Sequence, residues 1–217
     1  MIFILITLPD HDDLTRYASV WSEKILLSTA ERVGIKPIII SKGKNVTKSQ
    51  ITENIKSKNP KFLFFNGHGS PTSIGGYNNE ELIVLGENDY LLNDKIVHVL
   101  ACDAGKTLGK ECKSKAFIGY VGKFWLCMDR FSLSRPLEDK FATPVMLSAL
   151  EAPNQLLKGK RPKEAFETSQ KTYDKWIDEY THSESKYTTA ELQLVMPVLF
   201  INKLLQVLHE EQNNSAN

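Results

Sequence analysis

Cysteine is scarce in this sequence. Three in 217 residues, Cys102, Cys112 and Cys127, with no CxxC spacing, suggest neither a disulfide framework nor a zinc ribbon and predict reduced thiols. Neither sign of charge dominates: 27 Lys and Arg stand against 26 Asp and Glu. The broad basic footprint of a nucleic-acid binder is therefore missing, and no direct nucleic-acid partner is expected. No apolar run approaches the ~20 residues of a membrane helix, because Asn202 and Lys203 interrupt the best candidate, residues 192–208. The apolar opening, 2–8, has no basic residue ahead of it and is too short for a signal peptide. It reads as a strand, and a cytoplasmic protein without membrane contact is expected. Internal repeats and low-complexity segments are also missing, apart from the polar end 211–217, which is expected to fray.

What is present is an alternation of short apolar runs with amphipathic stretches, the pattern of an α/β fold built on a mostly parallel sheet. The predicted strands are 2–8, 35–40, 62–66, 96–101 and 116–121. Each is almost wholly apolar, as strands covered on both faces should be. Leu14, Tyr17, Val20, Trp21, Ile25 and Leu26 recur at helical spacing toward Gly34, and a second crossover helix follows Thr47. Residues 70–93 break the rhythm with paired glycines and predict a hairpin or loop excursion. From about Pro144 the pattern turns helical, with helices near 145–151 and from Pro162 to about 180, then a helix containing Pro197 and a last strand near 204–208. The expectation is a single domain over 1–217, with a sheet core to about 125 and a helical remainder over about 126–210.

In parallel sheets, chemistry gathers at the carboxyl ends of the strands. The third strand ends in Asn66-Gly67-His68-Gly69 and the fourth in Ala101-Cys102-Asp103-Ala104-Gly105. A cysteine nucleophile needs a histidine to exchange its proton, and small neighbours leave backbone N–H groups free for a developing oxyanion. Gly69 and Gly105 suit that need. Cys112 and Cys127 read as packing residues. His98 lies on the same strand face as Cys102 and reads as a core or subsite histidine. The cluster Asp10-His11-Asp12-Asp13 reads as acids opening a helix, favoured by the macrodipole, rather than as a metal site.

At these residues the chain resembles the caspase-like cysteine peptidases: caspases, metacaspases, gingipains, separases and bacterial CHAT-domain peptidases. The shared pattern is an apolar strand ending in His-Gly and a second ending in Ala-Cys or Ser-Cys, then a residue pair and Gly. Leu100 stands where caspases carry Gln, and His68 lies 34 positions before Cys102 rather than about 50. The gingipain and CHAT branches are nearer. The resemblance covers roughly residues 1–125 and implies a cysteine endopeptidase that cleaves a protein or peptide substrate without a cofactor. His68 and Cys102 would be catalytic, and the N–H groups of Gly69 and Cys102 would form the oxyanion hole. It also implies a regulatory protein partner acting as sensor, in a context such as bacterial defence, with residues 70–93 ordered by that partner. The loops that wall the specificity pocket in such relatives offer Asp10, Asp12 and Asp129 here; Asp129, in the aromatic segment after the fifth strand, is the candidate substrate-binding acid and would favour cleavage after a basic residue. Two other readings stand beside this: a caspase-fold interaction protein with a vestigial dyad, and a flavodoxin-like ligand-binding domain. The second lacks a Gly-rich phosphate turn after the first strand, where Leu8-Pro9-Asp10 stands instead.

Overall fold

Strands buried on both faces need apolar residues on both faces, and the apolar runs become strands accordingly. A computed structural model describes residues 3–35, 38–182 and 186–210. In chain order its strands are β1 (Ile4–Leu8), β2 (Ile38–Lys42), β3 (Phe62–Asn66), β4 (Ser73–Gly75), β5 (Glu81–Val84), β6 (Ile96–Leu100), β7 (Ala116–Tyr120) and β8 (Gln206–Glu210). Six of them form one sheet in the order β2-β1-β3-β6-β7-β8, parallel except for β8, and β4 pairs with β5 as a separate antiparallel hairpin. The α/β class with a mostly parallel sheet is therefore as expected. Ile2 and the polar end 211–217 lie outside the described residues.

The helices are α1 (Asp13–Ser22), running through a π-helical turn, Glu23–Leu27, into α2 (Ser28–Arg32), then α3 (Lys48–Lys58), α4 (Leu108–Glu111), α5 (Ala142–Leu157), α6 (Pro162–His182) and α7 (Thr189–Leu205). Period two along the strands sorts the core into two faces. Ile4, Ile6, Phe62 and Phe64 meet Tyr17 and Trp21 of α1 and Met146 and Leu150 of α5. Leu5, Leu63, Phe65 and Val99 meet Ile51 and Ile55 of α3 and the hairpin residues Ile74, Leu82 and Ile83. A further cluster of Val145, Tyr173, Ile177, Val195 and Leu199 packs α6 and α7 onto α5. Among the described residues no helix is long and apolar enough to cross a membrane.

Three expectations shift. The helix near 145–151 extends over all of α5, whose interior holds Pro153. The last strand begins at Gln206, where α7 ends, and returns to pair with β7, so the helical remainder contributes an edge of the sheet. The excursion at 70–93 is built into the core, with Ile74, Leu82, Ile83 and Leu92 fully buried. Nothing in that packing calls for a partner to order it.

Asn66, the last residue of β3, is fully buried. Its Nδ2 donates to Thr7 O at 3.0 Å, its N–H donates to Thr7 Oγ1 at 3.0 Å, and its Oδ1 accepts from Ser22 Oγ at 3.2 Å. One amide thus ties the ends of β1, β3 and α1 together at the point where the chain leaves the sheet. Replacing it with Ala strands buried partners. Asn66→Ala should lower unfolding free energy by about 1–3 kcal/mol, read as a lower urea midpoint at unchanged m-value.

Candidate active site

Parallel pairing sets Asn66 opposite Leu100. Two residues further along each strand stand His68 and Cys102, which line one small cavity of about 50 Å³. Glycine makes this approach possible. Gly67 has φ +153°, and a Cβ there would collide with the carbonyl oxygen of Gly75. At Gly69 a Cβ would lie 2.5 Å from Cys102 O and 3.0 Å from Ala101 Cβ. Any other residue would force the two strand ends apart. After Cys102 the chain turns through Asp103 in the left-handed region, φ 57°, unusual for a residue with a side chain. The turn is held by Asp103 N–H on Gly122 O at 2.9 Å and Gly105 N–H on Tyr120 O at 2.9 Å.

Asp12 completes the group. It is the N-cap of α1, with Oδ1 accepting from the Thr15 N–H at 2.8 Å and Thr15 Oγ1 accepting from the Asp12 N–H at 3.2 Å, a capping box. Its other oxygen, Oδ2, lies 2.6 Å from His68 Nε2. Desolvation pushes the acid upward, yet the Thr15 N–H and the His68 ring outweigh it and bring the pKa down to about 2. An ionised carboxylate only accepts, so His68 Nε2 carries the ring proton and Nδ1 is left as the basic nitrogen. Beside them, the His11 ring is 7% exposed, with Nε2 at 3.6 Å from Asp12 Oδ2 and 3.3 Å from Asn79 Oδ1.

The Gly69 and Cys102 N–H groups donate to no acceptor among the described residues, as an oxyanion hole requires. Gly105 does not share this property, because its N–H is bonded to Tyr120 and its Cα packs against β7 and Val207. The Cys102 thiol lies 4.0 Å from Phe124 O and has no hydrogen bond to His68 among those described. Burial pushes its pKa up from the ordinary thiol value, and Asp103 adds to the rise. Cys102 is therefore a neutral thiol with no bond to His68 among the described residues.

Apart from Thr15, the remaining cavity wall is mostly apolar: Leu14 and Ala18 from α1, Leu100, and Phe124 and Leu126 from the segment after β7. Asp129 is not part of it. Its carboxylate caps the short turn Arg130–Ser132, accepting from Phe131 N–H and Ser132 Oγ at 3.1 Å each, and it lines a neighbouring groove with Trp125 and Phe131. Cys112 is buried, bonded toward Ser114 Oγ at 3.5 Å. Cys127 donates to Leu194 O at 3.2 Å, and burial raises it to about 11. His98 is fully buried, stacked on Phe64 at 5.1 Å, with both ring nitrogens unpartnered and its pKa lowered to about 3 by desolvation. It is a neutral core residue outside the cavity.

Two further residues shape the site from a distance. Asn202 of α7, fully buried, accepts from the Trp125 N–H at 2.9 Å and donates to Trp125 O at 2.7 Å, clamping the pocket wall as a neighbouring strand would. Buried Asp139 accepts from Tyr17 OH at 3.1 Å and from the N–H groups of Asp129 and Phe141 at 2.8 Å each, holding the same segment to α1 and to the start of α5. No protein-family model matches the sequence, and no curated protein matches it significantly.

The state of the thiols is directly testable. Iodoacetamide should label Cys102 more slowly than a free thiol at pH 7, with the rate climbing above the ordinary thiol range, since the thiolate forms only at higher pH when the pKa is raised. Cys127 should lag further. Peptide mapping of the alkylated protein across a pH series reads both.

Proposed function

We propose that this chain is a cysteine endopeptidase of the caspase-like type, acting on a protein partner and cutting beside an uncharged apolar side chain. The observation that carries it is the convergence of His68 and Cys102 on one cavity at adjacent carboxyl ends of β3 and β6. Support comes also from the unbonded N–H groups of Gly69 and Cys102 and from the carboxylate behind His68.

In this mechanism a bound peptide brings its scissile carbonyl to Cys102, and His68 Nδ1 takes the thiol proton. The thiolate adds to the carbonyl carbon, and the oxyanion is met by the Gly69 and Cys102 N–H groups. His68 returns the proton to the leaving amine as the C–N bond breaks, leaving a thioester. Water, deprotonated by His68, then releases the new carboxylate terminus and restores the thiol. Asp12 is a positioning residue: it fixes the tautomer and stabilises the imidazolium between these steps.

Specificity follows from the wall. Among the described residues no carboxylate lines the cavity, so a Lys or Arg side chain entering it would lose hydration without gaining a partner. Leu14, Ala18, Phe124 and Leu126 instead suit an aliphatic side chain. This replaces the basic preference expected from Asp129, whose carboxylate is spent on its own turn. A neutral, unengaged thiol gives a slow resting enzyme, which agrees with control by a partner that draws Cys102 and His68 together.

Cys102→Ala and His68→Ala should each lower kcat/KM by about 10³-fold or more, with the double variant scarcely worse than either, because the pair acts as a unit. Asp12→Asn should lower kcat by about tenfold or more while KM changes little. Cleavage that survives in Cys102→Ala overturns the assignment. On a proteome-derived peptide library, Cys102-dependent cuts should follow Leu-like residues and be unaffected by Asp129→Ala; cuts after Lys or Arg would overturn the specificity.

A further inference from the structure

We propose that His11, Asp12 and His68 form a site for a divalent zinc-type ion, and that its occupancy switches His68 off as a base. The switching role rests on the peptidase reading above; the ion site itself does not. One ligand atom from each residue, two imidazole nitrogens and a carboxylate oxygen, lies within 4.8 Å of the other two. A tetrahedral ion with bonds of 2.0–2.1 Å holds its ligand atoms about 3.3 Å apart. Asp12 Oδ2 stands 3.6 Å from His11 Nε2 and 2.6 Å from His68 Nε2, so one contact closes slightly and the other opens for the ion to enter.

The group is built as a ligand set. The capping box occupies Asp12 Oδ1 and leaves Oδ2 available to a ligand. The buried His11 ring is poorly satisfied: Nδ1 has no partner, and Nε2 reaches only Asn79 at 3.3 Å and the carboxylate. Buried imidazoles normally find better partners. Its ring is steadied edge-on by Tyr77 at 5.5 Å and by His68 at 5.8 Å. The Asp12 and His68 side chains are 39% and 37% exposed, which leaves an entry path. Two nitrogens and one oxygen suit zinc and its neighbours, and not magnesium or calcium, which take oxygen sets.

The switch is a change of tautomer. Without an ion, Nε2 of His68 carries the proton donated to Asp12, and Nδ1 holds the lone pair that takes the thiol proton. An ion bound through Nε2 needs the lone pair there, so the ring proton moves to Nδ1. No proton is lost, no bond to carbon changes, and Nδ1, now protonated, can no longer accept.

The test uses the full chain with Zn²⁺ and, as a spectroscopic stand-in, Co²⁺. One ion per chain is expected, measured against a chromogenic chelator, with visible cobalt absorption lacking a thiolate charge-transfer band. Cys102→Ala should bind equally well. His11→Asn should weaken binding by about tenfold or more and shift zinc inhibition by the same factor, while turnover in chelator persists. His11→Phe, which keeps the ring packing without the nitrogen, should do the same and guards against a folding artefact. Absence of binding by the wild type, equal binding by both His11 variants, loss of binding in Cys102→Ala, or equal effects of Mg²⁺ would each overturn the site. Stoichiometric, His11-dependent binding to a chain that cleaves nothing in chelator would retain the site and refute the peptidase reading instead. Binding that leaves an active enzyme uninhibited would refute the switch.

Discussion

The parallel register of β3 on β6 is the constraint from which the candidate site follows. With Asn66 opposite Leu100, two further residues on each strand carry His68 and Cys102 to the same cavity. A slip of one residue on either strand would send one of the two side chains to the opposite face. The register is protected at its end by the buried amide of Asn66, which bonds β1 and α1 simultaneously, and by Gly69, which lets the two chain exits close, while Gly67 leaves room for the carbonyl of Gly75. With that geometry set, the backbone N–H groups of Gly69 and Cys102 donate to no acceptor among the described residues.

How much of this was legible in the sequence depends on the range of the signal. Strands buried on both faces are written as apolar runs, so the sheet and its strand ends were readable, and with them the positions of His68 and Cys102. Asp12 was read as a helix opener, and it is one. The local signal accounted for one carboxylate oxygen and gave no sign that the other reaches a residue 56 positions away. Asp129 lies in the neighbouring groove, which went unread for the converse reason: neighbouring aromatics suggest a pocket wall but do not say which of two adjacent cavities they face. Asn202 entered only as a polar interruption of an apolar stretch. Its role as a clamp on Trp125 is a long-range backbone pairing with no periodic trace. The excursion at 70–93 looked like a loop because its strands are short, yet it closes one face of the core.

Charge and burial divide the molecule's polar groups sharply. Asp12 shares its two oxygens between a helix terminus and an imidazole, and Asp139 spends its oxygens on donors from α1, α5 and the segment after β7. Both are carboxylates whose cost of burial is offset by several donors each. His98 has no such compensation and remains neutral against Phe64. The three histidines at 11, 68 and 98 thus occupy three regimes: poorly satisfied, carboxylate-paired and wholly apolar.

The clamp of Asn202 on Trp125 separates two parts of the site that differ in how they can change. His68 and Cys102 follow central strands whose packing tolerates little alteration, whereas the wall at Phe124 and Leu126 belongs to a segment held by side-chain bonds from Asn202 of α7 and from Asp139. Substitutions along that helix can tilt or reshape the wall without disturbing the register of the sheet. The shape of the wall and the placing of His68 and Cys102 are thus set by separate parts of the chain, so that one can change without the other.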